Sequence, residues 1–399
     1  MSSAKVQAHG RQRMSRFRKI LLAATAVVHV PFLIAVADAA RRLGASPPFA
    51  WGAGVVLAAA GLALFFGRAH NLAEDWHRPW WQTWLVDLPY FWHWCACIYC
   101  LVPSLVYCLL EPLVDLARGM PIGPSPGFFF WTYASGLVVS GYGCTLRRWF
   151  FVVRPVDIPV RGLDPRFDGY TIAQLSDLHI GAFHPLWWGK RWARAANATA
   201  ADAVVVTGDM VTSGVAFHED IAELVGELRG KDGVFVIMGN HDYFGEGEPL
   251  VSLLRARDVH VLRNQGVVLE RDGARLFLAG IDDTWTKRAD LDAALEERPA
   301  GVSTVLLAHD PERFGQAAER GVDVVLSGHT HGGQIALPFL GRFVNASKLA
   351  HEFHIGLYEK GDSTLYVSGG LGTTGPPIRL GVAPSIALIR LRAARFHGS

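Results

Sequence analysis

No cysteine follows Cys144. Well over half of the chain therefore holds neither a disulfide framework nor a zinc-thiolate site. Charge is scarce: 19% of residues are Asp, Glu, Lys or Arg, and the formal net charge is +2. No overall bias asks for nucleic acid as a partner. Internal repeats and low-complexity tracts are missing too, which removes repeat architectures from consideration.

What the chain has in excess is apolar surface. Half of its residues are apolar and its mean hydropathy is positive. The excess is uneven, because nine of the thirteen Trp and all five Cys fall before Phe150. Two compositions have been joined. At about 100–200 residues per domain, the length predicts two or three domains. Cys95, Cys97 and Cys100 come close to a metal spacing, but their tryptophan-rich apolar context favours buried thiols.

Four apolar stretches are long enough to cross a bilayer, which takes about 20 helical residues: residues 20–40, 49–67, 88–110 and 127–146. Arg11, Arg13, Arg16, Arg18 and Lys19 precede the first, so a signal peptide is its rival reading. Three further spans and the lack of a clean small-residue cleavage site favour a true span. Basic residues set the orientation. The N-terminal tail, the loop from Arg68 to Arg78 and the exit from Arg147 to Arg161 carry roughly twelve, against about three on the other side (Arg41, Arg42, Arg118). Both ends read as cytoplasmic, giving a multi-pass protein of the inner membrane. Trp76, Trp80, Trp81 and Trp84 suit an interfacial aromatic belt. His29, Asp38 and Asp87 read as helix-end or interfacial groups rather than a transport path. The expected organisation is a basic tail (1–19), four spans (20–150), an extended connector (151–164) and a folded domain (165–399).

Beyond the connector the pattern changes. "YTIAQLSD", "ADAVVVTGD", "GVFVIMGNHD", "STVLLAHD" and "VDVVLSGHTH" each place an apolar run directly before a polar cluster, as strands buried on both faces do. Residues 185–199 and 218–229 between them have helical spacing. Alternating strands and helices predict an α/β layered domain with its function at the strand ends. Those ends bear Asp177 and His179, Asp209, Asn240, His241 and Asp242, His309, and His329 and His331. All supply hard oxygen or imidazole nitrogen and none supplies sulfur, a set suited to Mn, Fe, Zn or Mg.

These five blocks, in this order, resemble the signature of the calcineurin-like metallophosphoesterase superfamily, and among its members the membrane-associated bacterial branch. The ending "SGGLGTTGPPIRLGVAPSIALIRL" resembles that branch as well. The resemblance implies an αββα sandwich of two mixed sheets behind a four-helix transmembrane region. It implies two divalent metal ions, manganese first among the candidates. Asp177, His179 and His331 would hold one, Asn240, His309 and His329 the other, with Asp209 between them. His241 would face the substrate and Asp242 would orient its ring. The implied reaction is hydrolysis of a phosphodiester, phosphomonoester or pyrophosphate bond by a hydroxide bridging the metals. A membrane anchor makes a lipid-linked substrate attractive, such as UDP-diacylglucosamine or a phospholipid.

Two other functions compete. The spans could form a transporter or sensor with the metal domain as a regulatory module. A non-catalytic metal scaffold is the other, and the intact His241-Asp242 pair argues against it. Outside the blocks, His184, His218, His260, His351 and His354 read as surface or satisfied histidines. Tyr243 and Arg379 read as exposed ion-pair or packing residues before substrate contacts. Trp187, Trp188 and Trp192 could serve the core or a headgroup interface.

Overall fold

The computed structural model describes residues 3–70, 78–120, 127–336, 347–349 and 351–394, with side chains from residue 19 and not for 68–70. Trp76 and the basic side chains of residues 1–18 lie outside these. The chain divides into two compact units, residues 1–73 with 84–145, and residues 74–83 with 146–399.

The first unit is helical: α1 (Ser3–Arg42), α2 (Pro47–His70), α3 (Leu88–Arg118) and α4 (Phe128–Tyr142). Among the described residues, three helices are long and apolar enough to cross a membrane, over Lys19–Arg42, Pro47–Gly67 and Gln82–Arg118. Large apolar side chains such as Phe66, Leu105, Leu109 and Val138 face outward. Water would penalise that surface, whereas lipid would cover it. The helices tolerate Pro31, Pro103 and Pro112 in their interiors.

The fourth expected span differs from the other three. Residues 128–142 are helical, but at 15 residues α4 falls short of the about 20 that a crossing takes, and it is not among the three. Its Gly136 and Gly141 serve packing. A Cβ on Gly136 would come within 3.0 Å of the Ala96 carbonyl oxygen, and Trp92 Nε1–H donates to the Leu137 carbonyl at 2.6 Å. Asp38 pairs with Arg42 at 3.4 Å near a helix end, as an interfacial residue does. His29 does not fit that reading, because its side chain is buried among the helices.

Among its described residues the second unit has twelve strands: β1 (Val152–Val160), β2 (Thr171–Leu175), β3 (Ala203–Thr207), β4 (Val234–Ile237), β5 (His260–Val261), β6 (Gln265–Arg271), β7 (Ala274–Gly280), β8 (Thr304–Leu307), β9 (Val324–Ser327), β10 (Gly356–Lys360), β11 (Ser363–Val367) and β12 (Ser385–Ala393). They form two six-stranded sheets, ordered β1-β12-β2-β3-β4-β5 and β10-β11-β9-β8-β7-β6. Both are mixed. β2 to β5 run parallel, as do β7, β8, β9 and β11, while β12 opposes β2 and the β6–β7 and β10–β11 pairs are antiparallel. All five apolar runs marked in the sequence are strands, β2, β3, β4, β8 and β9.

Period-two alternation explains the layering. Leu276 and Leu278 of β7 enter the core between the sheets with Ile172, Val205 and Leu326. Phe277 and Ala279 point the other way, into a second cluster with Phe314 and Ala317. Helices α8 (Leu291–Leu295) and α9 (Phe314–Glu319) lie on that side. Helices α5 (Leu186–Ala198), α6 (His218–Gly226) and α7 (Glu248–Arg255) bury Trp192, Ile221 and Leu250. The expected αββα sandwich is the observed one.

The connector is a correction. Residues 152–160 form β1, an edge strand paired with β12 along its whole length. Val156, Ile158 and Val160 are buried. Pro155 and Pro159 gave the segment its linker-like look, yet an edge strand accepts proline because one side of its backbone needs no partner.

Candidate metal centre

The candidate ligands all lie within four residues of the C-terminal ends of β2, β3, β4, β8 and β9. These strands come from both sheets, so their ends converge above the seam. Gln174 fastens the seam beneath the site: its Nε2 donates to the Ser327 carbonyl and to Thr207 Oγ1, each at 3.0 Å. Tight turns follow the strands. Asp177 (φ 51°), His179 (45°), Asp209 (51°), His329 (71°) and His331 (52°) all have left-handed backbone, uncommon for residues with a Cβ. Glycine makes the closest approaches. A Cβ on Gly239 would collide with Asp209, and one on Gly328 with Ser176.

Two groups of donors result, each with its ligand atoms within 4.8 Å of one another. Asp177, His179, Asp209 and His331 form one, and Asp209, His309 and His329 the other. Asp209 belongs to both. Its Oδ2 lies 3.2 Å from His309 Nε2 and 3.8 Å from His179 Nε2. Its Oδ1 accepts from the His241 backbone N–H at 2.9 Å, next to Asn240. His329 Nδ1 is 3.3 Å from His309 Nε2.

Hydrogen bonds outside the groups fix the donors. His309 Nδ1 donates to the Thr207 carbonyl at 2.7 Å, which turns Nε2 toward Asp209. The His329 backbone N–H holds Asp177 Oδ1 at 3.0 Å. Asp177 Oδ2 and Asn240 Oδ1 are buried with no partner. Such orphaned oxygens, beside ring nitrogens crowded together, fit divalent cations and little else.

The electrostatics point the same way. Burial, then the nearby His241, lowers His179 to about 3. Burial and His309 lower His329 to about 4. His331 falls well below the usual imidazole range through burial and His179. Neutral rings with free lone pairs are what metal binding needs. Burial resists a charge on Asp209, but His309 and His241 outweigh it and hold the carboxyl well below its ordinary value. Burial likewise opposes a cationic His309, yet Asp209 beside it lifts the ring to about 10. Burial pushes Asp177 up to about 6, with His309 opposing.

His241 and Asp242 divide their work differently from expectation. The ring of His241 is oriented by the Thr212 carbonyl, which accepts from Nδ1 at 2.6 Å. Asp242 does not reach that ring. Its carboxylate accepts backbone N–H groups of Met210 (2.8 Å), Val211 (3.1 Å) and Gly239 (2.9 Å), bracing the turns after β3 and β4.

The other singled-out residues separate clearly. Arg379 is fully buried rather than exposed, and clamps the carbonyls of Gly369 and Gly372. Tyr243 donates to Asp282 Oδ1 at 2.6 Å. His184 and His218 are buried and leave ring nitrogens unpartnered, so neither is a surface residue. His260 is exposed and stacks on Phe235. Trp188 and Trp192 are core, while Trp187 is exposed.

Aromatic side chains on the rim escaped the sequence reading. Trp285, 62% exposed, lies 5.3 Å from the His329 ring, and Phe244, 49% exposed, lies 4.5 Å from the His241 ring. His351 lies 5.4 Å from His329. A signal for Trp285 was present: "ARLFLAGIDD" is another apolar run ending in acidic residues. Asp283 there accepts the backbone N–H groups of Trp285 and Thr286.

Residues 170–333 match the family model described as calcineurin-like phosphoesterase. An uncharacterized metallophosphoesterase of Bacillus subtilis, YkuE, is 30% identical over 272 residues, covering 66% of this chain and 95% of that protein. The chain belongs to the calcineurin-like phosphoesterase family. A Bos taurus transmembrane protein with metallophosphoesterase domain is 32% identical over 259 residues, 61% of this chain and 57% of the relative. A Helicobacter pylori metallophosphoesterase is 33% identical over 227 residues, 55% of this chain and 59% of the relative. The match thus spans less than two thirds of these last two. This member is a metal-dependent phosphoesterase whose residues fit a dinuclear divalent site, and its apolar helices and transmembrane relative mark it as membrane-associated.

Proposed function

We propose that this phosphoesterase is anchored in the inner membrane by four helices, α4 completing the set, with its catalytic domain on the cytoplasmic side. It cleaves a phosphodiester, phosphomonoester or pyrophosphate bond in a lipid-linked substrate. The observation that carries the catalytic reading is the sharing of Asp209 by two donor groups. A carboxylate with two oxygens and one charge suits a position between two cations. Asp177, His179 and His331 would hold one ion, and Asn240, His309 and His329 the other. Manganese fits this oxygen and nitrogen set, as do iron, zinc and magnesium. Bound there, two divalent ions supply charge stabilisation for phosphoryl oxygens and lower the pKa of attacking water.

The chain's own residues do the rest. His241 spends its Nδ1–H on Thr212, so its Nε2 is free for the substrate. As an imidazolium it donates the Nε2 proton to the leaving oxygen. Asp242 keeps the backbone of both turns in place. Phe244 and Trp285 offer exposed aromatic faces beside His241 and His329, surfaces suited to the ring or acyl portion of a substrate rather than to inorganic phosphate. Roughly twelve basic residues in the N-terminal tail, the loop from Arg68 to Arg78 and the exit from Arg147 to Arg161, against about three in the other connections, support the orientation.

Hydrolysis of bis-p-nitrophenyl phosphate with added manganese tests the catalytic reading. Turnover that Asp209→Asn abolishes is expected; equal turnover in the variant would defeat it. Release of lipid from UDP-diacylglucosamine or a phospholipid, compared with its deacylated analogue, tests the substrate class. A deacylated compound cleaved as fast as the lipid would remove the lipid-linked reading.

A further inference from the structure

Three side chains of the helical unit that phosphoester chemistry does not use meet in its interior. His29 of α1 and His93 and Cys97 of α3 each offer a ligand atom, and those atoms lie within 4.8 Å of one another. His29 and Cys97 are almost wholly buried, at 1% and 0% exposed. His93 and Cys97 stand four residues apart, so they share a helix face. Cys97 Sγ is 3.7 Å from both ring nitrogens of His93.

Hydrogen bonds decide which nitrogens are available. His29 Nδ1 is 2.7 Å from the Thr25 carbonyl oxygen. The carbonyl has no proton to give, so Nδ1 carries the hydrogen and the neutral ring keeps its lone pair on Nε2. That Nε2 is buried without a partner. His93 Nδ1 lies 2.8 Å from the Tyr133 hydroxyl of α4. The hydroxyl can accept an Nδ1–H there, in the tautomer that puts the ring's lone pair on Nε2. A carbonyl or hydroxyl on the far nitrogen is how proteins orient metal-binding histidines.

Helix α2 comes close to the cluster at a glycine. A Cβ on Gly61 would come 2.9 Å from His29 Nε2 and 3.5 Å from His93 Nε2, so glycine is what lets the helix approach both nitrogens. Phe32 stands edge-on to His93 with ring centroids 4.6 Å apart, and Val28 and Ala58 pack in the same cluster as Cys97. Simple core packing does not account for the arrangement. A satisfied histidine pair would turn one ring N–H onto the other ring, whereas here the buried Nε2 of His29 has no partner, which an apolar bundle penalises.

We propose that His29, His93 and Cys97 form a third metal site, for a zinc-class ion, separate from the phosphoesterase centre. Two imidazole nitrogens and one thiolate are a borderline-soft set that prefers zinc to manganese or magnesium. Binding displaces the Cys97 thiol proton to solvent, leaving a thiolate on the metal. All four helices take part: α1 and α3 by ligands, α2 by the close approach at Gly61 and α4 by the tyrosine that holds His93. The ion would tie the bundle together at one point.

The absence of sulfur from the phosphoesterase centre supplies the test. The full-length protein, purified in detergent and loaded with cobalt(II), should show a thiolate-to-cobalt charge-transfer band, which five oxygen- and nitrogen-bearing strand ends cannot produce. Cys97→Ala should abolish the band and lower bound zinc by about one ion per chain, with bis-p-nitrophenyl phosphate hydrolysis unchanged. Asp209→Asn should keep the band while losing turnover, which separates this site from the catalytic one. If Cys97→Ala fails to fold, Gly61→Ala keeps every ligand residue and should still extinguish the band by pushing the His29 ring away from its partners. No band in the wild type, or one that survives both Cys97→Ala and His29→Ala, overturns the proposal.

Discussion

The Nε2 atoms of His179 and His331 lie 3.0 Å apart, with the two rings nearly parallel and their centroids 4.9 Å apart. Both rings are buried and held neutral. Two such nitrogens hold this spacing because each aims its lone pair at a common centre, with Asp177 Oδ1 3.5 Å from His331 Nε2. Replacing His331 by Ala removes one donor of that group and leaves the His309 group whole. Manganese content should fall from about two ions per chain toward one, and turnover by at least about 100-fold. Elemental analysis beside steady-state kinetics checks both.

His241→Ala should leave the metal content intact, since no bound ion depends on its ring. The loss should depend on the leaving group, small for p-nitrophenolate and on the order of 100-fold or more for an alkoxide that needs a proton. A Brønsted plot over leaving-group pKa, steeper in the variant, is the measurement. Equal slopes would remove His241 as the acid.

Asp242→Asn should act on the fold before the chemistry. One face of the new amide presents N–H to a backbone N–H that the carboxylate now accepts, so a buried bond is lost and two donors meet, costing about 1–3 kcal/mol. Thermal unfolding should shift downward. At a temperature where the variant is folded, its leaving-group dependence should match that of the wild type.

Asp202 gives the pH dependence. Burial alone would raise its pKa, but Lys231 (2.9 Å), the Thr171 backbone N–H and hydroxyl (2.8 Å each) and Arg271 (2.7 Å) bring it down to about 2. The unfolded value is about 3.9. Its contribution is therefore complete above about pH 4 and fades as the pH drops through about 2. Asp202→Asn should lower stability near neutrality by about 1–2 kcal/mol, since the largely solvated Lys231 is screened, and should flatten the acid decline between those values. Denaturant unfolding of metal-free protein keeps metal loss out of the comparison.

A catalytic fragment cut at Leu163 would lack β1. Val156, Ile158 and Val160 are buried against the rest of the sheet, at about 1.5–3 kcal/mol each, and β12 would become an unprotected edge. A fragment beginning at Arg147 should be monomeric and active, whereas one beginning at Leu163 should unfold at lower temperature or aggregate. Size-exclusion chromatography with thermal melts distinguishes them.

The legible parts of the molecule share one property. β2, β3, β4, β8 and β9 are covered on both faces, so each reads as an unbroken apolar run, and the ligands follow directly in the chain. β1 was hidden by Pro155 and Pro159, whose meaning depends on the strand lying at an edge. β12 lies within the C-terminal motif but shows itself as a strand only beside β1 and β2. Phe244 carries no local mark of function, because its placement beside His241 is a matter of tertiary distance, and Trp285 is marked only indirectly, by an apolar run that ends in acidic residues. Asp242 was misread for the opposite reason: adjacency to His241 in sequence suggested a partnership that the turn geometry directs elsewhere. His93 went unnoticed because its partner His29 is sixty-four positions away.

The left-handed backbone at Asp177, His179, Asp209, His329 and His331 sets selection for durability against selection for activity. An L-residue in that conformation is disfavoured by roughly 1–2 kcal/mol relative to glycine, and burying bare carboxylates and imidazoles adds to the burden. Glycine at any of these positions should make the apo-protein sturdier while emptying its donor set. A library screened only for thermal survival would drift toward inert variants, and cells short of the divalent metal would hold this enzyme in its most fragile form.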